Sequence, residues 1–179
     1  MLSAKGQRGL EIVSHAVSWF VDCVSTDWME ETMCFVLYAG TSKPMPRKEW
    51  RNEAPDLSVQ ALTERESPIA THFSKPTVQY VGSTSGCGCD FPFVTFQNGD
   101  WPWSDDGEHD AEQEARDHYN REGLVNLLQA TGEQTLELYG VWDGDFTTPP
   151  AVREEIVSTA ILDPSFRFKE QGFYVVRLA

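Results

Sequence analysis

Residues 34–39 read Cys-Phe-Val-Leu-Tyr-Ala, an unbroken apolar run closed by Gly40, Thr41 and Ser42. A strand with one wet face alternates polar and apolar side chains, whereas a continuous run of this kind needs burial throughout. The segment therefore predicts a buried strand followed by a turn. Such a strand needs a core around it. With 40% hydrophobic and 12% aromatic residues in 179 positions, the chain carries enough large apolar side chains for one packed domain, which at this size buries roughly 70% of its unfolded surface without staples.

Other segments follow the same logic. Residues 77–81 and 135–142 are rich in β-branched, aromatic and leucine side chains and predict strands, the second closed by Asp143, Gly144 and Asp145. Residues 57–61 alternate as a short half-buried strand, 69–73 suit a helical turn, 91–96 resume extended structure and 173–178 suit a last strand. Residues 108–130 predict a helix, capped by Ser104, Asp105 or Asp106, buried mainly by its second half, with Gly123 a candidate kink and Gly132 its stop. Residues 156–162 are ambiguous between strand and helix until Asp163-Pro164 ends them.

Near the start, Leu10, Val13, Val17, Phe20 and Val24 recur at steps of three and four, the stripe of an amphipathic helix. This helix docks on the domain or pairs with a second copy to make a homodimer. Strands and helices alternate too irregularly for a doubly wound sheet. The expected class is α+β: a helical arm over residues 1–32, then a single domain over 33–179 with a mixed or antiparallel sheet and packed helices.

Twenty-eight acidic against fourteen basic residues leave a formal charge of −14. That field repels phosphate backbones and anionic membrane surfaces, so neither nucleic acid nor membrane is expected as a partner. A basic protein partner suits it, as for an immunity-like or antitoxin-like module, and plain solubility explains it as well. Glu11, His15, Ser18 and Asp22 interrupt the apolar stretch of residues 10–24, which fits neither a membrane span nor an export signal. A cytoplasmic location is the expectation, with the four cysteines as reduced thiols or metal ligands rather than a disulfide framework.

The sharpest chemical signal is Gly86-Cys87-Gly88-Cys89, reached directly from the strand at 77–81. One intervening glycine lets both sulfurs point the same way in an extended segment. Cys34 opens a strand that can lie beside the one ending at Gly82, and three thiolates plus one further donor would satisfy tetrahedral zinc, with His72 and Asp90 available as that donor. The same pair also reads as a redox dithiol, because loop amides lower a thiolate pKa, or as small side chains packed in a tight turn. The loop lacks the ending of a phosphate-binding P-loop and the arginine of a cysteine phosphatase.

Asp110, Glu114 and His118 fall on one helical row, which reads as a solvated face. Trp101, Trp103, Trp142 and Tyr139 either line a binding surface or pin loops to the core.

Residues 33–41, 73–76, 80–83 and 86–91, read with 137–142 and 162–166, resemble an uncharacterised family of small bacterial cytosolic proteins with a Gly-Cys-Gly-Cys motif. The resemblance runs from Met33 to the end of the chain and implies no particular activity; it singles out the same cysteines. The segment before Met33 lies outside it.

Overall fold

A computed structural model describes residues 34–94 and 111–179. Its strands and helix follow in the order β1 (Phe35–Thr41), β2 (Ser58–Ala61), β3 (Thr77–Gly82), β4 (Phe93–Val94), α1 (Ala111–Gln129), β5 (Thr135–Trp142), β6 (Val152–Val157), β7 (Phe168–Lys169) and β8 (Gly172–Arg177). Six of the strands form one sheet in the order β2-β3-β1-β5-β8-β6, and β4 pairs with β7 in a two-stranded parallel ribbon. Neighbours in the large sheet are antiparallel except β6 and β8, which run parallel.

The apolar run 34–39 explains the centre of this arrangement. All seven residues of β1 are buried, because β1 lies between β3 and β5 and both faces of the sheet are covered. Phe35, Leu37 and Ala39 point to one side, where they meet Leu136 and Leu138 of β5, Val176 of β8, and Leu124, Val125 and Leu128 of α1. Val36 and Tyr38 point to the other side, where Tyr139, Val141, Phe146 and Phe173 join Ile69 of the 3-10 turn Ser67–His72. Each fully buried large side chain contributes about 1.5–3 kcal/mol of transfer free energy, so one strand feeding two cores is the main organiser of the domain.

The sheet is mixed and the class α+β, as the residue pattern indicates. Among the described residues there is a single α-helix, α1, accompanied by two short 3-10 turns. The N-terminal amphipathic helix, residues 108–110 of the expected helix and the extended stretch beyond Val94 lie outside the described residues. Gly123 does not interrupt α1; a Cβ there would come 2.8 Å from Leu57 Cδ1, so glycine serves close packing instead of a kink. The ambiguous residues 156–162 divide at Val157, with the end of β6 before it and the 3-10 turn Ser158–Leu162 after it. Burial falls mainly on the second half of α1, where Leu124, Val125 and Leu128 are buried, while Tyr119 is 51% exposed. Among the described residues no helix is long and apolar enough to cross a membrane.

Two buried polar groups fasten loops to this frame. Glu137 on β5 accepts the backbone N–H groups of Ser74 (2.9 Å) and Lys75 (3.3 Å) and the Ser74 hydroxyl, holding the chain that leads into β3. Arg121 of α1 donates to the carbonyls of Ile161, Asp163, Pro164 and Phe166 at 2.9–3.3 Å. Each charge is compensated by hydrogen bonds, which is the condition for leaving it inside.

Candidate metal centre

β1 and β3 are antiparallel neighbours, with Leu37 opposite Val81 and Tyr38 opposite Tyr80. The beginning of β1 therefore lies beside the end of β3, where the chain enters the loop 83–90. Cys34 continues the strand's pairing, since its carbonyl accepts the Asp143 N–H at 2.8 Å. Alternation along β1 directs Cys34 to the same side as Val36 and Tyr38.

The loop is folded back by its own hydrogen bonds. Ser83 N–H and Oγ both donate to the Cys87 carbonyl, at 2.7 and 2.6 Å, and Gly86 N–H donates to the Ser83 carbonyl at 3.0 Å. Gly86 has φ +85°, and a Cβ there would stand 3.0 Å from the Trp50 ring. Both the backbone and the space require glycine. Gly88 N–H then donates to the Phe35 carbonyl at 3.0 Å, and a Cβ on Gly88 would stand 2.5 Å from that oxygen. The loop backbone thus lies directly on the first residue of β1, and the cysteines on either side of Gly88 fall beside Cys34.

The three sulfurs lie within 4.8 Å of one another. Residues 34, 87 and 89 are therefore close enough to hold a metal ion. Their surroundings supply hydrogen to sulfur: Cys89 N–H lies 3.4 Å from Cys87 Sγ, the Ser85 hydroxyl lies 3.4 Å from the same sulfur, and the Phe35 N–H bonds the Cys89 sulfur. Hydrogen bonding to Cys34, then to Cys89, holds the Cys87 thiol well below its ordinary pKa against the opposing effect of desolvation. For Cys89 the Cys34 contact pulls downward, but the Cys87 contact, desolvation and the Cys87 charge outweigh it and push the thiol up. A compact trio of this kind shares negative charge unequally until a cation neutralises it.

A second layer anchors the loop. Asn120 of α1, fully buried, accepts the Thr84 N–H at 3.0 Å and donates to Thr84 Oγ1 at 3.0 Å and to the Arg116 carbonyl. The Trp50 indole N–H donates to the Thr84 carbonyl at 2.8 Å, and the Tyr80 hydroxyl donates to the Gly86 carbonyl at 3.1 Å. Burial, followed by the charges of Cys87, Cys89 and Cys34, raises the pKa of that phenol, so Tyr80 stays a donor. Sequence reasoning missed Asn120 and Trp50. The signal available for Asn120 was a polar residue on the buried side of an amphipathic helix; Trp50 sits in a polar stretch with no local mark.

The other singled-out residues do not join the sulfurs. Asp90 Oδ2 accepts from Thr84 Oγ1 at 3.2 Å, and the His72 ring packs 5.5 Å from Tyr139; neither of these two available donors is in the cluster. Glu114 and His118 are exposed, with His118 3.4 Å from Glu122, while Asp110, Trp101 and Trp103 lie outside the described residues. Trp142 packs edge-on against Phe35 and Phe93, and the Tyr139 hydroxyl donates to the Thr148 carbonyl at 2.8 Å. These two aromatics secure the sheet.

Comparison with protein-family models, with curated proteins and with solved structures returned no match for this chain.

Proposed function

We propose that this chain is a metal-binding protein whose centre is a zinc ion held by Cys34, Cys87 and Cys89. The carrying observation is that sulfurs from two distant segments lie within 4.8 Å of one another. Tetrahedral zinc at about 2.3 Å from each sulfur sets neighbouring sulfurs roughly 3.8 Å apart, so only a small contraction separates this trio from a coordinated one. Backbone and hydroxyl donors directed at the sulfurs are the usual outer support of metal thiolates. A reducing compartment such as the cytoplasm suits the reading, because it keeps the thiols available.

The test is metal analysis of full-length protein purified without chelator. Near-stoichiometric zinc is expected, with loss of most of it in Cys87→Ser and in Cys34→Ser; wild-type protein that stays metal-free when offered zinc under reducing conditions overturns the proposal.

One observation favours a second reading, a redox dithiol. Cys87 is held toward its thiolate form with Cys89 hydrogen-bonded beside it, the pairing of nucleophile and partner that thiol exchange requires. Reversible loss of two titratable thiols under mild oxidant, abolished by Cys89→Ser in metal-free protein, distinguishes it from a purely metal-binding role.

A further inference from the structure

Arg65, Glu66, Tyr80, Asp143 and Phe146 line a cleft of about 300 Å³, a volume at the small end of ligand sites. Its aromatic walls are braced by Tyr38. That ring is fully buried and meets Tyr80 and Phe146 edge-on, with centroids 6.0 and 6.3 Å away, and its hydroxyl donates to Glu66 Oε1 at 2.9 Å. The other Glu66 oxygen accepts the Thr63 N–H at 2.8 Å and the Thr63 hydroxyl at 2.6 Å. Burial, then the charge and hydrogen bond of Glu66, then the charge of Asp143, raise the Tyr38 pKa. Both carboxylates therefore bear on the same small region.

The chain already places one guanidinium there. Arg65 Cζ lies 5.3 Å from the centroid of the Phe146 ring, and Arg65 Nη2 lies 3.6 Å from Asp143 Oδ1. Ring and carboxylate together present the two features a guanidinium recognises, an aromatic face and a negative acceptor. The Arg65 side chain is 68% exposed, and ion pairs exposed to this degree hold little net energy because water screens them. Phe146, over which it lies, is only 4% exposed. A guanidinium from outside can displace Arg65 at small cost and take over the same ring face. With Arg65 swung away, the lining offers two carboxylates, Glu66 and Asp143.

We propose that this cleft receives an arginine side chain of a basic protein partner, which enters by displacing Arg65. None of the residues involved is a sulfur ligand, so the cleft works with or without a metal at the cysteines. Charge selects the class of ligand, because a chain of formal charge −14 draws cations and repels the carboxylate that a free amino acid carries. Shape selects arginine over lysine: a planar guanidinium stacks on a ring while forking to a carboxylate, and a compact ammonium is a point charge. One long side chain is what the volume admits, and arginine anchors of this kind carry a large share of the energy at protein interfaces.

The experiment titrates isotope-labelled, full-length protein with N-acetyl-L-arginine methylamide at low salt and follows the backbone amide spectrum. Amides of residues 60–66, 80 and 143–146, which belong to the cleft segments, should shift and saturate, while the citrulline counterpart, equal in length and uncharged, leaves them in place. The lysine counterpart should bind about threefold more weakly or worse. Arg65→Ala should tighten binding about threefold or more, because the resident guanidinium no longer competes. Lys43→Ala removes the same charge from an exposed position past the opposite end of β1 from Asp143 and should leave the affinity unchanged. Asp143→Asn should weaken binding about threefold or more, in protein whose amide spectrum away from the cleft matches the wild type.

No saturable shift at these amides, equal binding of the citrulline or lysine compound, unchanged affinity in Arg65→Ala or Asp143→Asn, or equal tightening by Lys43→Ala overturns this inference. Tighter binding of free L-arginine overturns the protein source and assigns the cleft to a small molecule. Each of these results leaves the metal reading intact, and wild-type protein that takes up no zinc but still binds the arginine probe leaves this one intact.

Discussion

Gly88 carries the tightest steric demand at the centre. With the Phe35 carbonyl 2.5 Å from where a Cβ would stand, Gly88→Ala must push the loop off β1 and break the Gly88 N–H bond to Phe35. The expected cost is about 1–3 kcal/mol, seen as a lower denaturation midpoint, together with weakened zinc binding because the sulfurs on either side move with the backbone. Asn120 is a subtler test, since it lies one layer away. Asn120→Ala removes both contacts to Thr84 but no sulfur, and outer supports of this kind are worth about 10- to 100-fold in metal affinity. Competition with a chromogenic chelator should register that loss in folded protein. The thiols also set a pH signature for metal-free protein. Cys87 is lowered in the folded state, so its stabilising contribution is present above the ordinary thiol value of about 8.5 and is lost as pH falls toward its folded value. Cys89 is raised to about 12, so its contribution is fully present below the ordinary thiol value and is lost as pH rises from there through its folded value. Thiolate ultraviolet absorbance should therefore show a thiolate persisting well below the ordinary range in folded, metal-free protein and disappearing on unfolding; a single transition in the ordinary range would contradict the arrangement described.

At the level of elements, β1 was legible from its side chains alone, because a short continuous apolar run closed by turn residues suits a strand buried on both faces. β3 and β5 were legible for similar reasons. β6 was not: Val152–Val157 contains Arg153, Glu154 and Glu155, and its strand character comes from pairing with β8 at the sheet edge, where Arg153 lies over the Phe173 ring with its guanidinium carbon 4.3 Å from the centroid. Polar residues at an edge satisfy solvent and also discourage pairing with other chains. α1 was legible in its length but not in its inward polar pair. Arg121 gathers four carbonyls of the chain that runs from the second 3-10 turn to β7. Replacing it by methionine keeps volume and removes every donor, with an expected loss of about 2–4 kcal/mol in chemical denaturation. Arg121 makes no contact with the sulfur loop among these bonds, so zinc stoichiometry in the variant should stay that of the wild type; this separates fold from centre.

Across the whole molecule, a metal at this centre would tie the start of β1 to the loop after β3. Binding to the folded state alone stabilises by mass action, about 2.7 kcal/mol when free metal is a hundredfold above Kd. Chelator should lower the melting temperature of wild-type protein and leave Cys34→Ser, Cys87→Ser doubly substituted protein unmoved. The charge of −14 belongs to the same scale and predicts a separate behaviour. Association with a basic protein should weaken as ionic strength rises, and should be indifferent to serine at positions 87 and 89 if that surface acts apart from the sulfurs.

Residue order alone pointed to a buried strand over 34–39, an α+β pattern and one glycine-flanked cysteine pair, because strand periodicity, turn chemistry and glycine content are properties of neighbouring residues. Only tertiary structure decided that Cys34 meets Cys87 and Cys89, that Asn120 and Trp50 hold their loop, and that Asp90 and His72 stand apart. Those outcomes depend on the register of β1 against β3 and on the packing of α1, which are set by contacts between residues far apart in the chain and leave no mark in any short window of it.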